Sequence, residues 1–288
     1  MGHNIEGVAI DLDGTLVNSA PDLAAAANRL LRKLSRPNLT QEHVQALIGD
    51  GIDALFDRVL ASGSGTYRSL DERTVLRGEF KRSYRERIFA RGGLYAGVTD
   101  GLTALRRLRL PIAVVTNKPS EFTRPLLSAA GLESWFDPIL CADDAALRKP
   151  APAMLETLGR EWGIPPHKLL LVGDSTTDIA TARAAGCVVA AVDYGYEPRH
   201  ALVAAGADWI IPVARNSRYG RGCIVLSERK TLTRFLIEER GRHPAASGDF
   251  NALILDLALA CKAVAKRVAA GVLSDASGAA NSTNVQGE

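Results

Sequence analysis

Val8-Ala9-Ile10-Asp11-Leu12-Asp13-Gly14-Thr15 decides how this chain is read. The three apolar residues have strand character, and they run into two carboxylates two positions apart, with a glycine behind them able to turn the chain. Residues i and i+2 of a strand point to the same side, so Asp11 and Asp13 face one ligand. The backbone amides of the following turn can receive phosphate oxygens. Such a pair can attack a phosphorus atom; a turn carrying two solvated aspartates is the plain alternative.

Three later segments supply the context, each a short apolar run ending in polar residues. Val114-Val115-Thr116-Asn117 offers a hydroxyl and an amide at a strand end. Arg148-Lys149-Pro150 offers a lysine beside a rigid neighbour, and Leu170-Leu171-Val172-Gly173-Asp174 ends in a glycine and an acid, with Asp178 four residues on. Ligands of open α/β sheets bind at the carboxyl ends of the strands, so all four segments are expected to converge there. Taken singly, Thr116 reads as a strand-end hydroxyl and Lys149 as a surface lysine; it is the ordered set of four that points to function.

With these motifs, residues 5–213 resemble the haloacid dehalogenase superfamily of phosphatases. Within that span, 11–23 (DLDGTLVNSAPDL), 115–119 (VTNKP), 173–186 (GDSTTDIATARAAG) and Tyr194-Gly195-Tyr196 are similar to the phosphoglycolate phosphatase branch.

A phosphate ester repels an anionic nucleophile, so its cleavage needs a nearby cation and a positioned attacking group. Asp11 is the candidate nucleophile, forming an aspartyl-phosphate that divides one hard step into two easier ones. Asp13 is the candidate general acid on the leaving oxygen and then the base on the hydrolytic water. Oxygen ligands favour Mg²⁺, and the resemblance assigns it to Asp11, Asp174 and the backbone carbonyl of Asp13. Thr15, Thr116, Asn117 and Lys149 are expected to bind the substrate, the last three holding the transferring phosphoryl oxygens. Asp178 is expected to steady Lys149 or a metal-bound water. Dehalogenases attack carbon and have no need of an acid at position 13, so Asp13 favours phosphate chemistry. Sugar-phosphate mutases and other small sugar-phosphate phosphatases of the superfamily share both aspartates and stay open as alternatives.

Between about 18 and 95 the texture changes to amphipathic helical spacing. Leu23, Ala26, Ala27, Leu30, Leu31 and Leu34 share one helical face, and Val44, Leu47, Ile48, Leu55, Phe56 and Val59 continue the pattern. A helical insert directly after the nucleophile strand resembles the mobile cap of this superfamily, which closes over the site and excludes water. Ile48-Gly49-Asp50-Gly51 reads either as the loop of that cap that dips toward substrate or as a plain helix connection. Ser62-Gly63-Ser64-Gly65 reads as a flexible turn, and Gly92, Gly93 and Gly97 as the return hinge.

Outside the insert, strands are expected at 7–11, 111–116, 138–142, 168–173, 188–193 and 208–211, with helices at 100–108, 120–130, 151–162 and 177–185. Continuous apolar strands separated by helices imply a doubly wound, Rossmann-like parallel sheet covered on both faces. The expected division is a phosphatase core of 1–17 and 96–213, a helical cap of 18–95, a linker of 214–229 and a helical tail of 230–288, partly disordered.

At 288 residues, 47% hydrophobic and 23% charged, the chain can bury a core large enough for two domains. No apolar run approaches a membrane span, and a nucleophile at position 11 leaves no room for a cleaved signal peptide. Cys141, Cys187, Cys223 and Cys261 are scattered without metal-ligand spacing, which fits a cytoplasmic chain with reduced thiols. The net charge of +3 is matched by Arg215, Arg218 and Arg221 of one short segment, so no nucleic-acid partner is expected. The expected partner is a small phosphorylated metabolite.

The stretch 230–271, followed by a Gly/Ser/Asn-rich end, resembles the amino-terminal segment of fructose-1,6-bisphosphatase. Leu232, Phe235 and Leu236 mark a short helix. Phe250, Leu253, Ile254, Leu257, Cys261, Val264 and Val268 mark a longer one, with Asp249 as N-cap and Gly271 past its end. None of that family's metal-binding acidic motifs follows, so bisphosphatase activity is not expected. An apolar helical face of this kind packs on the phosphatase, pairs with another copy, docks on an intact bisphosphatase as a binding module, or stays loosely ordered as the remnant of a gene fusion or readthrough.

Overall fold

The computed structural model describes residues 5–62 and 69–211. The linker and tail expected at 214–288, and most of the turn expected at 62–65, lie outside the described residues.

Six parallel strands form one sheet: β1 (Gly7–Ile10), β4 (Ile112–Thr116), β5 (Ile139–Cys141), β6 (Leu169–Gly173), β7 (Val188–Val192) and β8 (Trp209–Ile211), in the order β5-β4-β1-β6-β7-β8. β1 is paired on one side with β4, Ile10 opposite Val114, and on the other with β6, Ile10 opposite Val172. The chain first winds outward through β4 and β5, then crosses β1 to β6, so the order reverses at β1. A crevice forms at such a reversal, outside the carboxyl ends of the strands.

Strand alternation sorts the apolar residues onto two faces. Val8, Ile10, Val114, Leu170 and Val172 join the cluster under α5 (Val98–Arg107) and α6 (Ser120–Ala129). Ala9, Ala113, Val115, Leu169 and Leu171 join the opposite cluster under α7 (Ala153–Trp162), α8 (Thr176–Ala185) and α9 (Arg199–Ala204). Both faces are dry, which is why the strands read as unbroken apolar runs instead of alternating ones. The strands lie within a residue or so of the ranges expected from sequence, while a short helix and a small ribbon are among the elements not anticipated. The helix is α9, which is too short for a periodic signal. The ribbon is a two-stranded antiparallel pair, β2 (Val17–Asn18) with β3 (Gly93–Leu94).

That small pair joins the two strands of chain entering and leaving a helical segment: α1 (Ala20–Lys33), α2 (Gln41–Gln45), α3 (Ile52–Ala61) and α4 (Leu70–Arg85). Gly93, read as part of a hinge, thus sits in a hydrogen-bonded ribbon. The buried Asp22 carboxylate reinforces the junction by accepting the backbone N–H groups of Arg91 at 2.8 Å and Gly92 at 3.1 Å. The four helices close over their own apolar cluster, including Leu23, Leu30, Leu55, Phe56, Phe80 and Tyr84. Phe122 of α6 is the residue from the sheet-bearing part that enters it.

Candidate active site

Asp11 follows β1 immediately, and its backbone N–H donates to the Val172 carbonyl at 2.9 Å, so the ladder holds it beside the end of β6. The chain then curls tightly on Leu12, whose carbonyl accepts from Leu16 and Val17, both at 3.0 Å. Gly14 makes the curl possible. Its φ is +86°, and a Cβ there would lie 2.1 Å from Asp174 Oδ2.

Lys149, 4% exposed, links two acids: its Nζ donates to Asp11 Oδ1 at 2.7 Å and to Asp178 Oδ1 at 2.6 Å. Asp178 Oδ2 is also engaged, accepting from the backbone N–H groups of Asp174 and Ser175, both at 3.2 Å, and from the Ser175 hydroxyl at 2.6 Å. The result is a capping box that starts α8 and holds Asp178 as an orienting group for Lys149. Asp174 accepts from the Thr15 hydroxyl at 3.2 Å and the Tyr196 backbone N–H at 2.7 Å. Gly195 lets that loop approach, since a Cβ on it would lie 2.2 Å from the Asp174 Cβ.

Asp11, Asp174 and Asp178 bring carboxylate oxygens within 4.8 Å of one another, and all three residues are buried. Three carboxylates against one ammonium would leave two uncompensated negative charges in a dry site. Burial and mutual repulsion accordingly push Asp11 up to about 7 and Asp174 well above the usual carboxylate range. An all-oxygen donor set with that charge fits a hard divalent cation. Both oxygens of Asp174 and of Asp178 already accept hydrogen bonds, and Oδ1 of Asp11 accepts from Lys149, so the three carboxylates together form the group that could hold such an ion.

Asp13 has its own lysine. Lys118 Nζ lies 2.9 Å from Asp13 Oδ2 and 3.2 Å from Oδ1, and the Ser19 hydroxyl donates to Oδ1 at 2.5 Å. The Tyr196 hydroxyl accepts the backbone N–H groups of Ser19 at 3.0 Å and Ala20 at 3.1 Å, capping α1 and fixing Ser19 beside Asp13. Sequence reasoning passed over Lys118, although it follows Asn117 at a strand end already marked for function. Any cation in that position was a candidate by the convergence rule alone.

Thr116 is buried, and its hydroxyl accepts from the Lys118 backbone N–H at 3.2 Å. Asn117 is committed at both ends of its amide: Nδ2 donates to the carbonyls of Gly49 at 3.0 Å and Lys149 at 3.1 Å, while Oδ1 accepts the Lys149 N–H at 2.7 Å. Its side chain therefore positions Lys149 and the 48–51 loop, and only its backbone is left to meet a phosphoryl oxygen.

The helical segment reaches the same place. Tyr84 of α4 packs on Phe122 with ring centroids 5.4 Å apart, Arg85 pairs with Glu121, and Lys81 lies 3.5 Å from the same carboxylate. Lys118 Nζ stands 4.8 Å from the Tyr84 ring centroid. Burial pushes the Tyr84 phenol up to about 12, so it is a neutral donor at physiological pH.

Comparison with known proteins agrees with this geometry. The model of the haloacid dehalogenase-like hydrolases matches residues 8–192. The phosphoglycolate phosphatase of Nitrosospira multiformis is 41% identical over 211 residues, covering 72% of this chain and 92% of that one. The Escherichia coli phosphoglycolate phosphatase is 38% identical over 217 residues, covering 69% and 86%. A crystal structure of a predicted phosphoglycolate phosphatase from Haemophilus somnus superimposes with a TM-score of 0.67 at 35% identity, covering 72% of this chain and 93% of that one. By its sheet order, its cluster of strand-end acids and these relatives, the chain belongs to the haloacid dehalogenase-like hydrolase family.

Proposed function

We propose that this chain is a Mg²⁺-dependent phosphatase that hydrolyses 2-phosphoglycolate to glycolate and inorganic phosphate. The observation that carries the reading is the pair of separate acid–lysine contacts, Asp11 with Lys149 and Asp13 with Lys118, at the switch point of the sheet. The relatives named for that substrate support the choice of ester.

In this reading an Asp11 carboxylate oxygen attacks phosphorus while the bond to the leaving oxygen breaks, and Asp13 delivers a proton to that oxygen. Asp13 then takes a proton from the water that attacks the aspartyl-phosphate, releasing phosphate and restoring Asp11. Lys149 neutralises charge on the transferring phosphoryl group, with the Thr116 hydroxyl and nearby backbone amides as further donors. Mg²⁺ bound through Asp11, Asp174 and the Asp13 carbonyl supplies charge neutralisation that lets an anionic acid approach an anionic ester. Thr15 serves by orienting Asp174.

Residues 18–95 act as a cap on a core of 1–17 and 96–213, closing over the ester to exclude water. The contacts from Gly49 and α4 to the core support a closed arrangement. No described helix is long and apolar enough to cross a membrane. The free buried thiols of Cys141 and Cys187 go with a cytoplasmic setting.

The test is phosphate release from 2-phosphoglycolate with Mg²⁺, compared with chelator and with Asp11→Asn. Release abolished by both supports the reading; no release from 2-phosphoglycolate, with a sugar phosphate offered in parallel isomerised and its phosphate retained, makes the chain a mutase.

A further inference from the structure

Lys118 is an ammonium in a place where ammonium groups are costly: it is 4% exposed, and its ion-pair partner among the described residues is Asp13. Two of its three N–H donors suffice for the Asp13 oxygens at 2.9 and 3.2 Å, and the third meets only the neutral Tyr84 hydroxyl, a weaker partner than a substrate anion. Beside it stands an unspent donor. Tyr84 is fully buried and its hydroxyl interacts with Lys118; as the acceptor in that contact it keeps its own proton without an acceptor among the described residues. Buried polar groups are ordinarily satisfied, and exceptions call for an explanation.

Position says what would satisfy them. Lys149 lies on the Asp11 side, toward the transferred phosphoryl group, whereas Lys118 lies on the Asp13 side, toward the group that leaves. A group one hydrogen bond beyond Asp13 meets the alcohol half of the ester. In 2-phosphoglycolate a carboxylate stands one carbon from the ester oxygen, within about 3 Å by ordinary bond lengths. That is the spacing of Asp13 from Lys118.

We propose that Lys118 and Tyr84 form a receptor for a carboxylate on the leaving half of the substrate, making them the residues that select acidic phosphomonoesters over neutral ones. The proposal rests on the phosphatase reading above. The two donors come from different parts of the chain, Lys118 from the end of β4 and Tyr84 from α4 of the helical segment. The receptor is therefore complete only with the helical segment seated on the core, and Phe122, stacked on Tyr84, helps to seat it. A neutral ester would leave both donors unpaid, and a site built to hydrogen-bond a substrate group rejects the analogue lacking it.

The experiment measures kcat/KM for 2-phosphoglycolate and for ethyl phosphate, which lacks the carboxylate, in the full-length Mg²⁺-loaded enzyme and in Lys118→Met, Lys118→Arg and Tyr84→Phe. The wild type is expected to favour 2-phosphoglycolate by roughly 100-fold or more, as hydrogen bonds to a charged group imply. Lys118→Met is expected to collapse that ratio about 100-fold, Tyr84→Phe about 10-fold, and Lys118→Arg to restore much of it. If Lys118→Met loses turnover on both esters, Tyr84→Phe decides. A wild-type ratio kept by Tyr84→Phe and by any active Lys118 variant overturns the receptor while leaving the phosphatase reading intact. A wild type that cleaves ethyl phosphate but not 2-phosphoglycolate overturns the receptor and the choice of ester together, while the phosphatase chemistry stands.

Discussion

Asn117 donates its side-chain amide to the carbonyl of Gly49 at 3.0 Å, tying the end of β4 to a loop of the helical segment 68 positions earlier. The same side chain grips the backbone of Lys149 from both sides. One residue thus fixes the backbone of Lys149 and the seat of the 48–51 loop.

Asn117→Ala would leave two carbonyls and the Lys149 N–H without their partner, so stability should fall by about 1–3 kcal/mol. Amide exchange at residues 49–51 should quicken with it. Denaturant unfolding and hydrogen exchange check both; unchanged exchange at the loop would mean that Asn117 does not hold it.

Asp11→Asn should move activity and stability in opposite directions. If Asp11 is the nucleophile, as proposed, its loss should cost at least about 10³-fold in kcat. Removing one of three clustered charges should raise the Tm of the metal-free protein at pH 8 by a few degrees, since about 1 kcal/mol shifts a domain of this size by roughly 2–4 °C. Phosphate release and calorimetry on one preparation decide the matter, and a Tm that falls would show the cluster to be balanced without a cation.

The raised pKa of Asp11 gives the metal-free protein a pH dependence of definite sign. Between 3.8, its ordinary value, and about 7, the folded state keeps a proton that the unfolded chain has released. Unfolding free energy therefore falls as pH rises through that window. Asp174 is shifted the same way by burial and by Asp11. A divalent cation should flatten the slope, adding about 2.7 kcal/mol at 100 times its Kd and more at pH 8 than at pH 5, where protons compete. Thermal melts across pH, with Mg²⁺ and with chelator, read this directly.

Gly14→Ala should be among the costliest single-methyl additions in the chain. The new Cβ would fall 2.1 Å from Asp174 Oδ2, at a φ of +86° that L side chains resist. Asp174 would have to move, so Mg²⁺ affinity measured by calorimetry should drop about tenfold or more even where the variant folds. Wild-type affinity in a folded variant would show that Asp174 is not a ligand.

Much of the molecule was legible one segment at a time. Runs such as Val8-Ala9-Ile10 and Leu169-Leu170-Leu171-Val172 announce strands buried on both faces because burial acts on each residue locally. Acids, a hydroxyl and a lysine at the ends of such runs announce a site because parallel strands share one carboxyl edge. The short β2–β3 ribbon escaped notice because its two-residue strands are stabilised by pairing across the insert and not by any propensity of their own.

Tertiary structure alone decided who meets whom. Lys118 finds Asp13 across 105 positions, Lys149 finds Asp11 across 138, and Thr15 finds Asp174 across 159. Each charge could be solvated separately in the unfolded chain, and only burial forces it to choose a partner. Periodicity likewise marked α1 and α3 as amphipathic, yet nothing local showed that Tyr84 of α4 would stop beside Lys118. That juxtaposition follows from the helices closing over one apolar cluster against Phe122, a packing outcome that no single stretch of sequence contains.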